Sequence, residues 1–118
     1  MKHSTGKPTK AEQARLDRIH AMPCIACEKE RCRQPLRTEA HHLVDKGTRI
    51  LSGGHMATLP LCGWHHRGEK EYPLTQKEMH LIYGPSFALH KREFIATYGA
   101  ERELLAEIDD RMKQEEAA

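Results

Sequence analysis

The chain has none of the features that carry a protein into or across a membrane. No run of about 18 apolar residues could span a bilayer, and no apolar segment at the start marks it for an oxidising compartment. The expected location is therefore the cytoplasm. Aromatic residues are also scarce, at 5%, and hydrophobic residues make up only 38% of 118 positions. So lean a core in so short a chain needs a staple, either disulfides or a metal. Four cysteines could form two disulfides in a secreted protein, but a reducing cytoplasm favours the metal. Charge of neither sign dominates: the formal net charge is +2, which permits nucleic-acid binding without requiring it.

What is present is concentrated. Five of nine histidines and one cysteine lie between Ala40 and Arg67. That stretch opens with Ala40-His41-His42-Leu43 and closes with Leu61-Cys62-Gly63-Trp64-His65-His66-Arg67. Residues 1–37 carry nine basic and four acidic side chains, whereas residues 101–118 carry three basic and seven acidic ones. A basic front and an acidic tail suit a protein that turns one face to phosphate, and equally an ordinary solvated surface.

The length fits one domain over residues 10–116, preceded by a mobile arm over 1–9. No internal repeat is present. A first helix starts at Thr9 or Lys10, packs through Ala14, Leu16, Ile19 and Met22, and stops at Pro23. Cys24 to Cys27 forms a turn, and 28–35 a polar loop. Strands are expected over 36–43 and 58–61, joined by a Gly-rich loop, with a short helix following to about Gly68. Thr75-Gln76-Lys77-Glu78 reads as a capping box for a helix to Tyr83. Two further helices follow, from Ser86 to Tyr98 and from Ala100 to about Gln114, with a frayed end. The class is α+β, with a metal core at about 23–70 and a helical part at 75–114.

Cys24-x-x-Cys27 and Cys62-x-x-His65 have the spacings that let two pairs of side chains close a tetrahedral structural zinc site. Cys32 is the alternative to His65, and four free thiols are the alternative to a metal. His66 lies about 100° around the helix from His65, so it faces away from that zinc and can meet His41. A strand turns neighbouring side chains to opposite faces, so His41 and His42 do different work. His41 and His66 are candidate ligands of a second, catalytic divalent ion (Mg2+, Mn2+ or Zn2+), with His42 as general base. His55 is the first choice of third ligand, and His90 and His80 are the alternatives. Arg49, Arg67 and Lys70 flank these elements as candidate contacts to a DNA backbone. Trp64 reads as core.

These motifs, in this order, resemble the phage recombination-enhancement (Ref-like) nucleases of the HNH superfamily. They comprise Cys24 to Cys27, Ala40 to His42, Gly54-His55-Met56-Ala57-Thr58 and Leu61 to Gly68, with Gly84-Pro85-Ser86 and Phe94 to Gly99 as a weaker tail. The resemblance spans about Pro23 to Leu105. It implies a ββα-metal (HNH, treble-clef-like) core and endonuclease activity on DNA, which in the best-known members depends on a RecA filament. The chain departs from the pattern in having no asparagine, with His55 or Ala57 near the place of the central residue. It also has Lys70, not histidine, one turn after His66. A non-catalytic zinc-stabilised DNA- or protein-binding module is the competing reading. His42 separates the two, because a module that only binds has no use for a base beside His41.

Overall fold

The computed structural model describes residues 6–117. Met1 to Thr5, most of the expected arm, and Ala118 lie outside the described residues. The architecture is α+β: a two-stranded antiparallel sheet with helices around it.

Helix α1 (Lys10–Ala21) begins with Thr9 as N-cap in a reciprocal capping box with Glu12. Its buried face is Arg15, Leu16 and Ile19, continued by Met22. Ala14, expected inside, is exposed. Arg15 takes its place because its guanidinium has partners there: the Thr58 carbonyl at 2.8 Å, the Thr58 hydroxyl at 3.0 Å and Asp109 at 2.8 Å. A buried charge is tolerated only when paired in this way.

Cys24 ends the turn after Pro23 and opens a short helix, α2 (Ile25–Glu30), where a loop was expected from Glu28. The Cys24 sulfur accepts the Cys27 amide, and Arg31 closes the helix in the left-handed conformation. Strands β1 (Thr38–His42) and β2 (Thr58–Cys62) pair with His41 opposite Leu59 and His42 opposite Thr58. Every residue of β2 is buried, since α1, α2 and α6 all pack against it. Between the strands the chain makes turns and one 3-10 turn at Gly54–Met56. Helix α3 (Gly63–Arg67) follows β2 directly, with Cys62 as its N-cap, and ends at Gly68 in the left-handed region.

Helix α4 (Gln76–Tyr83) has the capping box read from Thr75 and Glu78. Helix α5 starts later than expected, at Lys91 (Lys91–Tyr98). The segment before it is tied elsewhere: the Phe87 amide donates to the His65 carbonyl at 2.9 Å, and the Ser86 amide donates to His90 Nδ1 at 3.1 Å. Helix α6 (Glu101–Ala117) runs past the expected end. In its last turns Arg18 pairs with Glu115 at 3.0 Å and Glu116 at 2.7 Å.

That pairing revises the reading of the charge asymmetry. Arg15 meets Asp109, Arg18 meets Glu115 and Glu116, and Lys29 meets Glu107. Of the front's basic residues, these three are turned to the acidic tail rather than to a ligand.

Candidate metal centre and the histidines beside it

The knuckle Cys24–Cys27 and the start of α3 converge on one point. Cys24, Cys27, Cys62 and His65 are buried, and their ligand atoms all lie within 4.8 Å of one another. The Cys27 and Cys62 sulfurs are 3.9 Å apart, and His65 Nδ1 lies 3.6 Å from Cys24, 3.4 Å from Cys27 and 3.4 Å from Cys62. A tetrahedral zinc site has S–S edges of about 3.8 Å and S–N edges of about 3.6 Å, so the four positions match an ion's coordination shell.

The donor chemistry agrees. Three buried sulfurs crowd together, which drives the Cys27 thiol upward through its hydrogen bonds to Cys24 and Cys62, and the Cys62 thiol downward through the same kind of contact. Burial alone would lower His65, but the Cys24 and Cys62 sulfurs outweigh it and raise the ring to about 10. A cation is what this pocket calls for. The other nitrogen of His65 donates to the Tyr83 carbonyl at 2.7 Å, which fixes Nδ1 as the ligand atom. Gly84, next to that carbonyl, has φ +87°, and a Cβ there would collide with the Tyr98 hydroxyl and Glu30. Cys32, the alternative ligand, stands outside the cluster with its thiol toward the Cys27 carbonyl.

A second group forms where β1 passes α3. Alternation along β1 turns Glu39 and His41 toward the same side, and His66 comes from the face of α3 that His65 does not use. The His41 and His66 rings are 5.1 Å apart, edge to face. His41 Nε2 lies 2.6 Å from Glu101, and both side chains are buried. His66 Nδ1 lies 2.8 Å from Glu39, whose carboxylate also receives Arg67 in a forked contact. Burial would raise Glu39, but its Arg67 and His66 hydrogen bonds prevail and hold it below the usual carboxylate range. Burial likewise lowers His66 against the pull of Glu39.

Each imidazole thus has a carboxylate on one nitrogen and its second nitrogen available. For His41 that second atom, Nδ1, is buried without a hydrogen-bond partner among the described residues. A buried lone pair left unpaired is costly, and carboxylate–histidine–metal is a recurring arrangement that resolves it. Among the described residues, the group of three or more side chains placed to share an ion is Cys24, Cys27, Cys62 and His65, and His41 and His66 are a pair beside it.

His55 does not join them. Its Nδ1 is 2.9 Å from His42 Nε2, and its Nε2 is 2.9 Å from the Gly6 carbonyl. Both nitrogens are engaged in these contacts, so His55 has none left for an ion shared with His41 and His66. His80 and His90 stack on each other at 4.0 Å, with His80 bonded to Glu93, also apart from the pair. His42 is pushed down to about 4, first by burial and then by the charge of Arg49, with a backbone hydrogen bond at Ala40 opposing. Arg49 and Lys70 are exposed. Arg67 is exposed too, but it is held between Glu39 and Glu69.

Glu39 and Glu101 do not figure among the residues expected from the sequence. Glu39 had a signal, since it precedes His41 by two positions on a strand. Glu101 had none, being 60 residues away at the start of α6.

Two comparisons with known proteins complete the picture. The model of a family described as "Recombination enhancement, RecA-dependent nuclease" matches residues 8–113. No solved structure matches the chain.

Proposed function

The chain belongs to the family of RecA-dependent nucleases of recombination enhancement, and we propose that it is a metal-dependent DNA endonuclease of the HNH type. The observation that carries the proposal is the buried, unpartnered Nδ1 of His41 beside His66, each ring backed by its own glutamate. His41 and His66 would hold the catalytic ion. When bound, that ion supplies Lewis-acid stabilisation of the crowded phosphoryl group and the leaving oxygen.

The chain's own residues supply the rest. His42 is neutral at pH 7 because its pKa is depressed, so it can take the proton of an attacking water. The water oxygen bonds to phosphorus as the bond to the 3′ oxygen breaks. The leaving oxygen takes a proton from solvent, and the products are a 5′ phosphate and a 3′ hydroxyl. Arg49 and Lys70 contact the backbone on either side, joined by Arg67 when it yields a carboxylate for a phosphate. The Cys24, Cys27, Cys62 and His65 cluster holds a structural zinc that fixes the start of α3, and so the position of His66. DNA is the substrate, and a RecA filament is the partner in the reaction. The reading puts the protein in the cytoplasm, where its free thiols stay reduced.

The test is nicking of supercoiled plasmid with Mg2+ or Mn2+, with and without a RecA filament paired to the plasmid. Wild type should cut, and His42→Ala should be slower by roughly 100-fold or more. If neither protein cuts under any condition while zinc is bound, the chain is a zinc-stabilised binding module and the catalytic assignment fails.

A further inference from the structure

The chain between the strands, residues 44–57, is tied into a lobe and is not a slack loop. Within it the Ser52 amide donates to the Thr48 carbonyl at 3.0 Å, the Leu51 amide to the Thr48 hydroxyl at 3.1 Å and the Gly53 amide to the Ile50 carbonyl at 3.2 Å. Ser52 is buried, and its hydroxyl oxygen accepts the Lys46 amide at 3.0 Å. Arg102 of α6 clamps the lobe through a forked contact with Asp45, at 2.7 and 3.0 Å, and a hydrogen bond to the Ser52 carbonyl at 3.2 Å. The turn held in this way carries two adjacent aliphatic side chains outward: Ile50 is 55% exposed and Leu51 68%. Their exposure serves no packing within the chain, and it asks for a partner.

Charge and position decide which partner. The charged residues of the lobe are Asp45, Lys46 and Arg49. Asp45 is taken up by Arg102, so the charge left facing outward is positive. Arg49, next to Ile50, is exposed and has no carboxylate partner among the described residues. Its carbonyl accepts the Gly54 amide at 2.7 Å, which ties it to the residue before His55, whose ring meets that of His42 at 2.9 Å. A cation beside two exposed aliphatic side chains, close to His42, is complementary to a polyanion with apolar faces between its charges. Duplex DNA has that chemistry. We propose that the turn at 48–51 is a wedge: Arg49 holds a backbone phosphate while Ile50 and Leu51 enter the adjacent base step and unstack it. The proposal rests on the reading of DNA as the substrate and names the class of DNA. It is duplex already weakened at one step by a mismatch or bulge, where unstacking costs least.

The test reads binding and needs no cutting. Fluorescence anisotropy on the full-length, zinc-loaded protein, free of other divalent ions, compares two short duplexes that differ only in a central mismatch. Wild type should bind the mismatched duplex tighter by roughly 10-fold or more, and 2-aminopurine beside the mismatch should brighten on binding as it unstacks. A double variant, Ile50→Ser with Leu51→Ser, should bind the two duplexes alike and leave the probe unchanged. Its zinc content and circular dichroism should match wild type, since both side chains are exposed. Arg49→Ala should weaken binding to both duplexes and reduce the salt slope by about one.

Equal affinity of wild type for the two duplexes would overturn the proposal. So would a double variant that keeps the preference for the mismatch. A double variant that binds both duplexes as wild type does, yet loses cutting of plasmid paired to a RecA filament, would show that the turn faces protein, and that too overturns it. The mismatch preference with no cutting under any condition is the failure of the nuclease reading alone, and the wedge stands. Wild type that binds neither duplex is the failure of both.

Discussion

At the scale of single residues, function divides between neighbours. His65 and His66 are adjacent, yet one belongs to the sulfur cluster and the other to the pair with His41. His41 and His42 are adjacent, and the pleat of β1 sends them to opposite sides. The Cys24, Cys27, Cys62 and His65 cluster could be read from the sequence because each half of it is local: a knuckle and a helix start bring their own pair together at fixed spacing. The fate of His55 could not, because no spacing rule says on which side of a strand a Gly-rich loop returns. One prediction concerns pH. Folded His42 stays neutral down to about 4, whereas in the unfolded chain it takes a proton near 6.5. The unfolded state therefore binds more protons between those values, and stability falls as pH drops through that window. The acid limb of the rate profile should lie nearer 4 than 6.5. Arg49→Ala removes a positive neighbour and should move that limb upward, read as kcat at saturating DNA.

A second prediction at this scale concerns Cys62→Ser. Structural zinc contributes roughly 10–16 kcal/mol in small metal-dependent domains, against a total stability of about 5–15 kcal/mol. The variant should lose its zinc and its folded circular dichroism together, and chelation of wild type should do the same. A folded, zinc-free variant would show that the hydrophobic core suffices alone.

At the scale of elements, the helices owe their positions to side chains at their ends and to a few long-range ties. The capping box at Thr75 was legible because its two partners are three residues apart. The late start of α5 was not, because the Phe87 amide is claimed by α3. Arg15 is the most connected of the ties, joining α1 to β2 and α6. Arg15→Ala strands the Thr58 carbonyl and leaves Asp109 unpaired. It should cost about 2–4 kcal/mol of unfolding free energy, measured by urea denaturation with zinc present. Thr75→Ala, at an exposed cap, should cost about 1 kcal/mol. Equal costs for the two would mean that Arg15 is no more than a surface residue.

At the scale of the whole molecule, opposite charge at the two ends of the chain serves its own packing. The front and the tail pair with each other, through Arg15, Arg18 and Lys29 from one side and Asp109, Glu115, Glu116 and Glu107 from the other. Lys7, Lys10, Arg31 and Arg37 of the front are exposed, as are Arg49 and Lys70 nearer the histidines. DNA binding should weaken with salt, and Lys70→Ala should reduce the slope by about one without changing zinc content. The α+β class and the order of elements around the metal were readable because Cys, His, Gly and Pro mark turns and ligands locally. The closure of α6 onto β1 through Glu101 and His41 belongs to the folded chain alone.

The central claim is that neighbouring positions on α3 serve two different metal centres. The measurement that tests it most directly is zinc content and plasmid nicking on the same preparations of wild type and His66→Ala. The account predicts one tightly held zinc in both proteins, with cutting lost in the variant. A variant that loses its zinc, or that keeps both its zinc and its cutting, would contradict it.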